Sequence, residues 1–148
     1  MKFPKYILTF TMISGIISCS TNAVNEDPNN INNLNGSWAY EEIIGSEPTL
    51  QKHGTISFNN GHISASAGCN QIMGEISGSL NNLHVGTLGM TKMFCMPREG
   101  TPENLQPMNI EANMARRLSE AKAARINGDI VTFFNDGGVW VLKLKRER

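Results

Sequence analysis

After Leu34 the chain alternates apolar and polar residues in short runs, broken by Asn-Gly and Asp-Gly pairs. That is the pattern of half-buried strands joined by tight turns. "SWAYEEII" (37–44) sets Trp38 and Tyr40 two apart, on one face of a strand. "GTISF" and "HISASA" flank Asn59–Gly61, and "QIMGEISGSL" and "LHVGTLGMTKMF" flank Asn81 and Asn82, which predicts two hairpins. Further on, "AARI", "IVTFF" and "VWVLKLK" are separated by Asn127–Asp129 and Asn135–Gly138, a meander. In all, about eight short strands are expected.

One segment has a different period. In "PMNIEANMARRLSEAKAA" the residues Ile110, Met114, Leu118 and Ala121 follow helical spacing, with Glu111, Arg116, Arg117 and Glu120 on other faces. An amphipathic helix of about four turns is predicted. Asn109 is a candidate cap, and an earlier turn is allowed at Thr101 with Pro102 in its first position. Pro97, Pro102 and Pro107 make the stretch before it a loop. A helix with one apolar face needs a sheet to cover. The expected fold class is therefore α+β: an antiparallel sheet, curled or partly closed, with one helix packed across its opening.

The N-terminus is patterned differently again. Lys2 and Lys5 precede the uncharged run Tyr6 to Ile17, a segment too short to span a bilayer as a mature helix. It ends in "IISC", where small Ser18 precedes Cys19. Here the chain resembles a bacterial lipoprotein precursor, and the resemblance implies cleavage after Ser18 and lipid attachment at Cys19. The competing reading is an ordinary secretory leader that happens to contain a cysteine. Ser20 in place of Asp implies sorting to the outer membrane where the cell has two. Residues 20–35, "STNAVNEDPNNINNLN", hold too little apolar surface to order themselves. The expected organisation is a signal peptide over 1–18, a tether over 19–33 and one domain over 34–148. The cell envelope is the expected location.

Charge narrows the function classes. Losing Lys2 and Lys5 from 13 basic residues leaves 11 against 13 acidic ones. A mildly acidic chain without a basic field is not expected to bind nucleic acid. The terminal "KLKRER" is read as the solvated end of a last strand.

Candidate chemistry is sparse. No G-x-S-x-G, H-E-x-x-H, phosphate loop, dinucleotide fingerprint or C-x-x-C is present. His53, His62 and His84 lack ligand spacing, so no metal site and no cofactor is expected. Glu41 and Glu42 are strand neighbours, which point to opposite faces and cannot work as an acid/base pair. With Cys19 lipidated, Cys69 and Cys95 remain, an even pair in an oxidising space. A disulfide closing that loop would add about 3.5 kcal/mol on the chain-entropy model. The competing reading, Cys69 as a nucleophile, needs a neighbouring base that the sequence does not nominate.

"AGCNQIMGEISG" followed by "LGMTKMFC", a helix and a meander resembles the META domain family, whose HslJ-like members carry Gly-Cys-Asn, a glycine four residues on, then Thr-x-Met-x-Cys. Those positions are Gly68, Cys69, Asn70, Gly74, Thr91, Met93 and Cys95, and "LNGSW" at 34–38 matches the family's opening. Ile72 and Ile76 stand where the family has aromatics, on the face shared by Asn70 and Gly74. The proline-rich stretch 96–107 is a second departure. The resemblance implies a fold related to cracked barrels and an association with envelope stress, without an agreed reaction.

Three functions compete at this point. The first is a non-enzymatic, outer-membrane-tethered lipoprotein, held by lipid on Cys19 and acting on a partner protein of the envelope. The second is a carrier of lipid or another small hydrophobic ligand in the barrel interior. It draws on Met73, Met90, Met93, Met96, Met108 and Met114, whose simpler expectation is to fill the core. The third is an enzyme dependent on reduced Cys69.

Overall fold

The computed structural model describes residues 27–43, 54–97, 99–103 and 106–148. The leader, Cys19, most of the expected tether and His53 lie outside these residues. Among the described residues, nine strands and one long helix follow in the order β1 (Gly36–Ile43), β2 (Thr55–Asn59), β3 (His62–Ser66), β4 (Ile72–Ser79), β5 (Asn82–Val85), β6 (Gly89–Met90), α1 (Pro107–Glu120), β7 (Ala123–Asn127), β8 (Ile130–Phe134) and β9 (Trp140–Arg146). The order across the sheet is β5-β4-β3-β2-β1-β9-β8-β7, with two-residue β6 added to β4. Every pairing is antiparallel.

The two ends of this path meet. Leu83 N–H donates to Lys122 O at 2.8 Å and Ala124 N–H to Leu80 O at 2.7 Å, so the sheet nearly closes into a barrel. Closing a sheet removes its exposed edges and encloses one face. The enclosed face is filled by side chains: Trp38, Ile56, Ile72, Met114, Leu118, Val131, Phe133, Leu142 and Leu144 are all fully buried. α1 lies over β9, β1 and β5, and its stripe of Ile110, Met114 and Leu118 completes the core. The face that the carrier reading assigned to a ligand is packed with these side chains.

Local sequence explains the joints. Asn60 and Gly61 take φ of 48° and 82°, the left-handed pair that a two-residue hairpin turn requires. In β9, Phe134 faces Trp140 while Phe133 faces Leu142, which leaves Val141 as an extra residue. This bulge is why consecutive Val141 and Leu142 are both buried. A similar shift between Tyr40 and Glu42 leaves Glu41 extra in β1, and Glu42 pairs with Lys143 at 2.6 Å.

Four expectations are corrected. The run 83–94 is not one strand: β5 ends at Val85, and β6 covers only Gly89–Met90. Leu88, between them, packs so closely on Gly74 that a side chain on Gly74 would collide with it. The helix begins at Pro107, ahead of the candidate cap Asn109: Gln106 is the N-cap and Pro107 occupies the first turn, where its missing N–H costs nothing. Asn109 Nδ2 donates instead to Glu103 O at 2.6 Å. The end of the expected tether also belongs with the barrel: Ile31–Leu34 form a 3-10 turn, and Asn30 bridges to Ser79. The last strand is more than solvated polar chain, since the Arg146 guanidinium lies 4.2 Å from the Trp38 ring and donates to Asn33 O and Asn35 O.

Candidate functional site

β3 ends at Ser66, and the chain turns through Ala67, Gly68 and Cys69 to Asn70 before entering β4. Gly68 holds φ at 98°, a conformation other residues adopt only with strain. The turn aims successive backbone N–H groups inward, and a carboxylate meets them there. Glu111 of α1 is fully buried, and its Oε1 accepts from the N–H groups of Ala67 at 3.0 Å, Cys69 at 2.9 Å and Asn70 at 2.8 Å. Oε2 accepts from Asn70 N–H at 2.8 Å. Such a cradle of amides is an anion-binding nest. Here the chain's own helix fills it.

The Asn70 side chain is buried and works in the opposite direction. Its Oδ1 accepts from Met93 N–H at 2.8 Å and from the Thr91 hydroxyl at 3.2 Å. Thr91 Oγ1 in turn accepts from Gln71 N–H at 2.9 Å, and Thr91 N–H donates to Gln71 O at 3.0 Å. Four positions after Thr91, Cys95 forms a disulfide with Cys69, their α-carbons 6.0 Å apart, inside the span a bridge allows. Gly68, Cys69, Asn70, Thr91, the Met93 backbone and Cys95 thus form one clasp that holds segment 91–95 against the end of the barrel. In this state the Cys69 sulfur is committed to a bond and is no nucleophile. Among the described residues, no group of three His, Cys, Asp or Glu could hold a metal ion. His62 and His84 are exposed on β3 and β5.

One polar atom near the clasp is unmatched. Tyr40 Oη is buried and has no hydrogen-bond partner. Burial, and then the negative charge of Glu111, hold the phenol well above its ordinary ionisation range. Neither Glu111 nor Tyr40 was singled out as a site residue, although the Glu111 signal existed. Glu111 and Leu118 are seven residues apart and so share a helix face to within about 20°, which places the carboxylate on the buried stripe.

Beyond the clasp the surface changes character. Phe94 is 89% exposed, Met96 80% and Met93 56%, with Met73, Met90 and Met108 also exposed. Of the six methionines named from the sequence, only Met114 lies in the core. Met96 and Met108 line a common groove with Cys95, Pro97, Pro107 and Glu103, of ≈ 440 Å³. The apolar end therefore runs from β6 across segment 91–97 to the first turn of α1.

Comparison with known proteins places this architecture. The description "META domain" fits residues 30–147, nearly the whole of the described barrel. The chain belongs to the META domain family. An NMR structure of a protein from Burkholderia xenovorans is similar to this META domain at 22% identity and a TM-score of 0.57, covering 98% of this chain and 99% of that one. A crystal structure of a DUF4847 family protein from Bacteroides vulgatus is similar at 12% identity and a TM-score of 0.52, covering 77% of this chain and 94% of that one. At these identities the likeness is one of fold. No curated protein matches the chain. In this META domain, six of the seven motif positions named from the sequence, all but Gly74, belong to the clasp.

Proposed function

We propose that this META domain protein is a non-enzymatic binding module of the cell envelope, tethered by lipid on Cys19 and acting on a partner protein through its methionine-rich end. The observation that carries the reading is the exposed run Met93, Phe94 and Met96, held on a fixed backbone by the clasp. Large exposed apolar side chains gathered at one place mark interaction sites, and methionine suits a surface that adapts to its partner. The placement of the first described residues supports the same reading. Asn29 and Asn30 attach beside Ser79 and Leu80, at one end of β4, whereas Thr91 attaches beside Gln71 at the other. An eight-residue strand separates these ends by about 23 Å. The apolar end thus lies at the opposite end of β4 from Asn29 and Asn30, where the described chain joins the barrel. An outer-membrane location and a role in envelope stress belong to this proposal.

The test is site-specific photo-crosslinking in cells. A photoreactive residue at position 94 is expected to trap one reproducible protein, and the same probe at Lys145, on an exposed part of β9, is expected not to. Equal trapping at both positions, or none at 94, would sink the reading.

A further inference from the structure

We infer that the groove beside the disulfide is the anchor pocket for a peptide segment of the partner, one that presents a large apolar side chain next to a lysine or arginine. The inference rests on the partner-binding reading above and says what the partner must look like. Met96, Met108, Pro97, Pro107 and Cys95 wall the groove, and Glu103 is the charged residue among its described lining. At ≈ 440 Å³ it has room for a large side chain together with the chain on either side of it. Two flexible thioethers on facing segments let the walls close on aliphatic or aromatic shapes alike. Side chains that fill such pockets carry most of an interface's binding energy.

Charge selects the neighbour of that side chain. The exposed carboxylate of Glu103 attracts a cation and repels a phosphate or another carboxylate. Anionic lipid headgroups are disfavoured for the same reason. Position argues against a membrane as occupant too, since the groove sits at the N-terminal end of α1. The other end of α1 leads through Lys122 to β5 and Leu80, the region where the chain enters from its N-terminus.

The experiment uses the full chain labelled with 13C at the methionine methyls. Three probes are titrated into it: a capped pentapeptide with a central Phe beside Lys, the same peptide with Glu in place of Lys, and anionic phospholipid vesicles. The Phe-Lys peptide is expected to move the Met96 and Met108 methyl signals saturably while that of Met73 stays still. Met108→Ala, at an exposed helix position, should weaken binding by at least about fivefold, the loss that marks a contributing contact. Glu103→Gln should remove the preference for the Lys peptide while the methyl spectrum stays native. Equal binding of the Glu peptide, saturable shifts with vesicles alone, or still signals at Met96 and Met108 would each overturn the proposal. If position 94 still traps a partner in cells after such a result, the partner-binding reading stands and only the pocket falls.

Discussion

The two sides of the Cys69–Cys95 disulfide are built on opposite principles. On the Cys69 side, every donor of the turn is matched: Glu111 fills the nest, Asn70 spans to segment 91–93, and both residues are buried. On the Cys95 side, large apolar residues stand in solvent, and they contribute nothing to folding that burial could supply. The difference separates structure from function within one short motif. The inner half keeps the backbone rigid so that the outer half can present side chains at a fixed place, and preorganisation of that kind lowers the entropic cost of binding.

The comparison can be broken first at Glu111. Glu111→Ala leaves the N–H groups of Ala67, Cys69 and Asn70 buried without an acceptor, which should cost about 3 kcal/mol or more. Glu111→Gln keeps one acceptor oxygen and should lose less; denaturant titration of the pair measures both. Next is the disulfide, whose removal in the Cys69→Ala, Cys95→Ala double variant should cost about 3 kcal/mol. That variant should also lose its partner, because only residues 91–93 then stay tied, through Gln71 and Asn70, and Phe94 to Met96 lose their covalent hold. Asn70→Ala removes the acceptor of Met93 N–H and of the Thr91 hydroxyl, for an expected loss of about 1–3 kcal/mol by the same measurement.

Tyr40→Phe should change stability at neutral pH by no more than about 1 kcal/mol, since the hydroxyl it deletes is already unmatched. Its signature is alkaline. Below the ordinary value of 10.0 the phenol is protonated both folded and unfolded. Above it, the unfolded chain ionises while the folded phenol, raised by burial and by Glu111, keeps its proton. Stability therefore falls as pH climbs from the ordinary value toward the folded one. Thermal melts of Tyr40→Phe should lack this component of the alkaline loss. A variant that tracks the unaltered chain through that window would show that the phenol is solvated.

The strands were legible because alternation and Asn-Gly turns are local signals: Trp38 with Tyr40, and Ile72 with Ile76, are buried together as their two-residue spacing requires. α1 was legible from its apolar stripe of Ile110, Met114 and Leu118. The break at Gly86–Leu88 was not, because it follows from Leu88 packing on Gly74, a contact between segments that no run of sequence reveals. Of the site, the pairing of Cys69 with Cys95 could be anticipated from cysteine count and compartment. The nest was missed because charged residues on helices are ordinarily solvated, and only the seven-residue step from Glu111 to Leu118 marks this one. The methionines read as core material by type, and their exposure is set by where segment 91–97 is clasped.

The most direct test of the division between a rigid inner half and a binding outer half is one variant read two ways. Phe94→Ser changes a residue that is 89% exposed and makes no part of the clasp. Its melting curve should overlay that of the unaltered chain, within the roughly 0.5 kcal/mol expected for a surface site. Partner capture through a photoreactive residue at Met93 should fall to background in the same variant. Undiminished capture, or a stability loss as large as that of Asn70→Ala, would contradict the account.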